Sequence, residues 1–562
     1  MLLKFIRQLR APRPHPVGGV ARGGKGLSEH SAVPDVNALL AQGAALQSAQ
    51  DHRGALGCYE KALPHVRDPG RLAAVLCNMG AACQALVRLA AAADCYRRAL
   101  ELAPDLAEVH YNLGCLLYDM GRIDEAEERL RRAVELKPGF HQAHSTLLCL
   151  YGLHRNHDQQ RLFEEHVRWA AAHASGFTPL ARREDVDATP GRRLTIGYVS
   201  ADLKEHSVSY FIEPVLARHD RERFRVICYD NWPGEDAVNR RLRQYAEWRK
   251  IAGLDDDRAA ALIREDRVDI LVDLSGHTVG NRLLVFARRP APIQASWFGY
   301  MCTTGLATMD YRITDAYLDP PGATERFYSE RLLRISAAAA FGPSPDSPPV
   351  NAPPALTNGH VTFGSFNNYT KVADDVIAAW ARILNAVPDA RLLLVVLGAD
   401  DAAVRDDVAA RFTRLGLADA ARLDIRGRRP LRDFLHMLQE VDIALDPFPY
   451  SGGTTSLHTL WMGVPIIAIE GESELQKSTA GMLRGAGAEA LVAFSAEEYC
   501  AKAIGLAGDT AQLARWRGSL REGARNSPVF STGEVTRSLE AAYLEIWRTW
   551  VQNSAASPGQ AA

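Results

Sequence analysis

Several things are missing from this chain. No Cys-x-x-Cys occurs in its 562 residues; the nine cysteines are scattered. That reads as reduced, mostly buried thiols in a cytoplasmic protein. No apolar run reaches the roughly 18 residues a membrane span needs. No excess of either charge exists: 65 basic against 67 acidic residues leave a net charge of −2. Without a basic field, nucleic acid is not a favoured partner. There is no G-x-x-x-x-G-K-[ST], which disfavours a P-loop kinase or ATPase. There is no G-x-G-x-x-G after a strand, which disfavours a dinucleotide oxidoreductase.

What is present is soluble globular material, too long for one core, so two to four domains are expected. The N-terminus, "MLLKFIRQLRAPRPHPVGGVARGGKG", is basic and rich in Pro and Gly. Lys4, Arg7 and Arg10 interrupt its apolar part, which argues against a secretory signal. A flexible tail over 1–33 is expected; the alternative is a short amphipathic helix over 1–10 that touches a membrane. A second tail is expected over 551–562.

A repeat follows the tail. Gly80 recurs as Gly114, Ala92 as Ala126, Ala99 as Ala133 and Pro104 as Pro138, each at an interval of 34 residues. An earlier copy carries Gly43, Ala55, Tyr59 and Ala62, and a degenerate one begins near His141. The unit resembles the tetratricopeptide repeat, a helix hairpin that buries its apolar face only by stacking on the next. Residues 34–175 are therefore expected to form an α-solenoid with a groove for a protein or peptide. Alternatively, the repeats serve as a scaffold or a homodimer surface.

At Arg192 the texture changes to alternating strands and helices. "RRLTIGYVSADL", "FRVICYDN", "VDILVDLSGHTVGNRL", "PIQASWFGY", "MDYRITDAYLDP" and "ERLLRI" supply strands over 190–340. The Pro- and Ser-rich segment 341–359 reads as a linker. The alternation restarts over 360–550, with helices expected at 374–386, 401–415 and 430–440 among strands. The fold class is α-solenoid followed by α/β: two Rossmann-like domains, each a parallel sheet with helices on both faces.

One stretch of the second domain stands out. "YSGGTTSLHTLWMGVP" places Gly452, Gly453, Thr454, Thr455 and Ser456 at the start of a short helix after the strand "VDIALDPF". Glycines let a ligand approach the backbone, hydroxyls cap, and a helix N-terminus suits phosphate. The loops "SADLKEH" and "SGHTVGN" also follow strands, and ligands of open α/β sheets sit at those ends. Two Rossmann-like domains, a phosphate-binding helix and a separate Lys371 suit a nucleotide-sugar glycosyltransferase.

The repeats followed by "IGYVSADLKEHSV", "RPAPIQASWFGY", "GSFNNYTKV" and "LDPFPYSGGTTSLHTLWMGVP" resemble the O-linked N-acetylglucosamine transferase and Spindly-type family over roughly residues 40–550. The resemblance implies a GT-B-type arrangement, a nucleotide-sugar donor, inverting transfer without metal or cofactor, and protein Ser/Thr acceptors. By position it makes His206 the active-site histidine, orienting the acceptor or acting as base. It makes Lys371 the cation that neutralises the leaving diphosphate, with Asn368 in place of a glutamine beside it. Thr454 and Thr455 become the phosphate-binding pair. Gly299 is placed to permit close contact with the sugar, and Pro292, Gln294 and Trp297 are either site or sheet core. His277 either reaches the cleft or braces its loop. Phe434 either stacks on the base or packs in the core, and the backbone at Arg429 reads the base edge.

Departures from the family pattern bear on the donor. Gly453 stands where the animal transferases have His. His458 stands where they have an Asp that holds the ribose, and an imidazole can replace that acceptor. Met301 and Cys302 replace a Pro-Gly that shapes the sugar pocket. UDP-N-acetylglucosamine is the first choice of donor; GDP-fucose and UDP-glucose stay open. "LDDD" at 254–257 and "DAYLD" at 315–319 read as solvated loop acids and not as metal ligands. Besides protein glycosylation, two other functions stand: transfer to a polysaccharide or glycolipid, and a non-catalytic repeat scaffold.

Overall fold

In the computed structural model, residues 35–153, 158–181 and 185–555 are described. The tail expected over 1–33 lies outside them, as does 556–562. Among the described residues no helix is long and apolar enough to cross a membrane, and none of the nine cysteines forms a disulfide.

The chain divides into two compact units near Leu147. The first is a stack of helix hairpins: Val36–Ser48 with His52–Ala62, Pro69–Ala85 with Leu89–Leu102, and Ala107–Asp119 with Ile123–Leu136. The repeat spacing has a steric cause. A Cβ on Gly43 would lie 2.6 Å from the Tyr59 ring, one on Gly80 2.6 Å from the Tyr96 ring, and one on Gly114 2.8 Å from Leu130 Cγ. In every hairpin a bare backbone accepts one large buried side chain, so small and large residues recur together. The tyrosine hydroxyls of the first two hairpins each donate to a buried amide, Tyr59 to Gln47 at 2.9 Å and Tyr96 to Gln84 at 3.1 Å.

The second unit starts earlier than the expected limit at residue 175. Leu148 and Trp169, the latter on helix Gln159–His173, sit in one apolar cluster with Val199, Ile227 and Leu271 of the first sheet. Helix Gln159–His173 therefore belongs to the α/β unit, whose sheet supplies the partner for its apolar face.

Seven strands form the first sheet: β1 Leu194–Ser200, β2 Phe224–Asp230, β3 Glu247–Lys250, β4 Ile270–Asp273, β5 Ile293–Ser296, β6 Tyr311–Thr314 and β7 Arg331–Arg334. Their order is β3-β2-β1-β4-β5-β6-β7, all parallel. The second sheet has six: β8 Thr362–Ser365, β9 Arg391–Val395, β10 Leu423–Arg426, β11 Ile443–Leu445, β12 Ile466–Ile469 and β13 Val492–Ala493. Their order is β10-β9-β8-β11-β12-β13, again all parallel. β3 and β13 escaped the sequence pattern; β3 is charged at three of its four residues, and β13 is two residues long.

In both sheets the strand order reverses beside the first strand, between β1 and β4 and between β8 and β11. Such switch points leave a crevice at the carboxyl ends of the strands. His206 follows β1, Asn368 and Lys371 follow β8, and the glycine-threonine stretch follows β11.

The expected division at 360–550 needs one correction. Helix Thr532–Ala555 returns to the first sheet, where Val535, Leu539, Tyr543 and Trp547 share a core with Ile196, Tyr198 and Val272. It also runs through 551–555, past the start expected for the second tail. Glu540 anchors it by accepting from the Asp220 N–H at 2.8 Å. The two sheets are joined further by a buried bidentate pair, Arg312 Nη2 donating to both oxygens of Glu474 at 3.0 Å.

Candidate donor and acceptor cleft

Helix Thr454–Trp461 begins where the chain leaves β11. Its first N–H groups have no intrahelical partner, and the helix dipole is positive there. Thr454 and Thr455 are half-buried at this end, with Gly453 as the N-cap. The neighbouring glycine is the sterically required one. A Cβ on Gly452 would lie 2.0 Å from Ser456 Oγ and 2.6 Å from Asp446 Oδ1, whereas one on Gly453 would meet nothing within 4 Å.

Lys371, half-buried, reaches the same loop from β8. Its Nζ donates to the Ser451 carbonyl at 2.7 Å and lies 4.1 Å from the centre of the Tyr450 ring. Burial pulls the ammonium down to about 8, against a smaller upward pull from Asp446. Asp446 directly follows β11, is 2% exposed, and accepts from the Gly452 N–H with both oxygens at 3.0 Å. Burial pushes its carboxyl up to about 6 despite these bonds. A cation at a helix N-terminus, beside an acid already engaged by backbone, is an arrangement for a polyanion. Asn368 lies beside it, its amide oxygen accepting from Arg428 at 2.8 Å.

His206 lies across the cleft as N-cap of helix Ser207–Leu216. Its Nδ1 accepts from the Val208 N–H at 3.3 Å and is 3.7 Å from Asp202. Burial holds the imidazole down at about 4, so it is neutral at physiological pH. With Nδ1 accepting, the ring proton sits on Nε2, which makes that nitrogen a donor. Contact between the two bodies comes one turn further along each helix. Tyr210 and His458 meet edge-on at 4.9 Å between ring centres, and Phe341 packs on His458 at 5.1 Å. The two helix starts that carry His206 and Thr454 thus open on one crevice.

His458 itself is 3% exposed, and burial holds it down at about 3. Its Nδ1 has no hydrogen-bond partner among the described residues. Phe434 is half-buried, edge-on to Phe366 at 5.6 Å and to His458 at 5.8 Å. The Arg429 guanidinium is held by Asp400 at 3.0 Å.

Other expected site residues do structural work. His277 is buried beside Trp169 and Tyr300, its Nε2 bonded to the Thr304 carbonyl at 2.9 Å, so it braces two loops and does not reach the cleft. The reason for Gly299 is the Leu274 carbonyl, which a Cβ would approach to 1.7 Å. Pro292 is buried. Gln294 donates to the Phe286 and Thr308 carbonyls at 2.9 and 2.8 Å, and Trp297 donates to the Ala338 carbonyl at 2.7 Å. All three belong to the sheet core. Met301 and Cys302 line a small cavity of about 40 Å³ with Ser473 and Glu474. The acids at 254–257 and 315–319 cap and pair: Asp255 accepts from the Arg258 N–H, Asp256 and Asp257 hold Arg282 and Arg288, Asp315 accepts from the Tyr317 and Leu318 N–H groups, and Asp319 accepts from Thr314.

Sequence reasoning missed Asp446, Tyr210 and Phe341. A signal for the first existed. Asp230, Asp273 and Asp446 each stand at or just after the end of a parallel strand and accept from backbone N–H groups of the loop that follows. Tyr210 and Phe341 gave none, because their role depends on a contact between bodies.

Comparison with known proteins agrees with this geometry. The family model described as Glycosyl transferase family 41 matches residues 127–343 and 352–539, and a tetratricopeptide repeat model matches 72–138. A tomato (Solanum lycopersicum) protein named "Probable UDP-N-acetylglucosamine--peptide N-acetylglucosaminyltransferase SPINDLY" is 40% identical over 396 residues, covering 69% of this chain and 42% of its own. An Arabidopsis thaliana relative named SEC is 28% identical over 372 residues, 63% of this chain and 37% of its own. The chain thus spans about two fifths of the length of these relatives. The solved structure of a point mutant of the Thermobaculum terrenum O-GlcNAc transferase superposes with a TM-score of 0.86 at 38% identity, covering 92% of this chain and 98% of the other. The fold is the expected one, helical repeats and then two Rossmann-like domains of GT-B type.

Proposed function

The chain belongs to glycosyl transferase family 41, and from that premise we propose that it is a glycosyltransferase acting on protein Ser/Thr hydroxyls. Its donor in this reading is UDP-N-acetylglucosamine, the molecule for which its relatives are named, and the repeat unit recruits the acceptor protein. The observation that carries the reading is Lys371 held against the loop that opens the Thr454–Trp461 helix.

In the proposed step the acceptor oxygen attacks the anomeric carbon on the face opposite the diphosphate. The bond from that carbon to the β-phosphate oxygen breaks, its electron pair stays on the diphosphate, and the hydroxyl proton is released to solvent. Negative charge therefore grows on the leaving group. In this reading the Lys371 ammonium, the Thr454 and Thr455 hydroxyls and the helix-start N–H groups take up that charge. This scheme assigns no step to a metal or cofactor. His206, neutral and with Nε2 as its donor, supports orientation of the acceptor or donor over proton abstraction.

Thermal-shift titration with UDP, GDP, UDP-N-acetylglucosamine, UDP-glucose and GDP-fucose, beside Lys371→Ala, tests the donor half. A UDP-specific shift that weakens in the variant is expected; no shift with any nucleotide sinks the donor site. Labelled-sugar transfer to protein against lipid and polysaccharide fractions tests the acceptor half. Label in the lipid or polysaccharide fraction alone would refute protein glycosylation.

A further inference from the structure

One peptide unit in the cleft is clamped from both ends. The carbonyl of the Ser451–Gly452 peptide accepts from Lys371 Nζ at 2.7 Å, and its N–H donates to both oxygens of Asp446 at 3.0 Å. In a trans peptide these two groups point in opposite directions. A cation and an anion therefore hold opposite ends of one dipole, each at the end it favours.

Everything around Asp446 fixes that carboxylate. Its oxygen Oδ1 accepts from Asn367 Nδ2 at 3.3 Å and from Ser456 Oγ at 3.4 Å, and Ser456 is within 2.9 Å of the Thr479 hydroxyl. The Asp446 carbonyl accepts from the Tyr499 hydroxyl at 3.0 Å, and that hydroxyl accepts from Trp380 Nε1 at 2.9 Å. Only a glycine at 452 lets the N–H come this close. Both oxygens face only donors, so an amide of the same volume would turn its NH2 group toward the Gly452 N–H or the other donors; the clamp calls for a carboxylate.

We propose that Asp446 is a positioning residue of the donor site: it locks the Ser451–Gly452 peptide so that the Ser451 carbonyl docks Lys371 and the helix-start N–H groups beyond it face the diphosphate. This rests on the donor-site reading above. Asp446 touches no substrate; it acts through Lys371 and the loop. Its charge also holds the Lys371 ammonium charged against burial.

The test compares wild type, Asp446→Asn, Lys371→Ala and the double variant by calorimetric titration with UDP and by melting without nucleotide. Asp446→Asn is expected to bind UDP on the order of tenfold more weakly in its folded state, because an interaction with charged groups is lost. The double variant is expected to bind no worse than Lys371→Ala alone, since residues acting through one network are not additive. Additive losses, or a lower melting temperature with unchanged UDP affinity, would mean that Asp446 is only a loop staple. Failure of wild type itself to bind UDP brings down the donor site, which is a different result.

Discussion

Replacing Lys371 with Ala should weaken the protein's hold on nucleotide and remove a pH dependence of its stability. Burial brings this ammonium from the ordinary lysine value of 10.5 to about 8, which corresponds to about 3 kcal/mol of unfavourable free energy at neutral pH. The sign follows from linkage. Below about pH 8 both folded and unfolded chains carry the proton and the cost is complete; between about 8 and 10.5 the folded chain sheds it first and the cost is relieved. The wild type should therefore gain stability relative to Lys371→Ala as pH rises through that window. UDP reverses the balance, because a diphosphate beside Nζ favours the charged form. Its affinity should fall above about pH 8, and binding there should take up a proton. Loss of a hydrogen bond to a charged group costs about 1.5–3 kcal/mol, or roughly 10- to 150-fold in Kd. Denaturant unfolding across pH 7–10.5 and UDP calorimetry in two buffers of different ionisation enthalpy measure both parts. UDP binding within threefold of wild type, or a stability difference flat across that range, would refute the reasoning.

Three further outcomes are expected. Gly80→Ala drives a methyl to 2.6 Å from the Tyr96 ring and should lower stability by about 1–3 kcal/mol in denaturant melts, as overpacking does. Arg312→Ala strands Glu474 in the interior and should cost about 3–5 kcal/mol. Burial pushes Glu474 up to about 7 even with its partner present, so the penalty is largest above that pH and shrinks as acid neutralises the carboxyl; thermal melts at pH 5.5 and 8.5 check the order, and Arg312→Met with Glu474→Leu should recover most of the loss. His277→Ala removes the bond to the Thr304 carbonyl and packing on Trp169. It should lower the melting temperature while leaving the UDP dissociation constant of the folded protein within a factor of two of wild type, a ratio that separates bracing from binding.

The periodic parts of this molecule were legible because their cause is local. A glycine facing one large side chain, Tyr96 and then Leu130, recurs where two helices cross at one distance, so the 34-residue interval marks the hairpins. The strands that read as continuous apolar runs, such as Leu194–Ser200 and Arg391–Val395, lie inside parallel sheets covered on both faces. The helix start at Thr454 and Thr455 was legible because glycines and hydroxyls after a strand are themselves the signal. Gly299 and His277 stayed open for the opposite reason. A glycine, or a histidine in a polar loop, looks the same whether its close neighbour is a ligand or another loop, and only the fold places Leu274 and Thr304 beside them.

The course of helix Thr532–Ala555 was hidden for a further reason. An amphipathic helix announces that it has an apolar face, not which sheet will cover it. Here sequence order pointed to the second sheet and the packing chose the first. The same limit applies to Asp446. Its type and place, an acid at the end of a buried strand, were visible, but a strand-end aspartate staples the loop that follows in any α/β body. What separates Asp446 from Asp230 and Asp273 is that the peptide it holds also carries Lys371. That distinction is a property of two segments about 80 residues apart in the chain, and it exists only once β8 and β11 are neighbours.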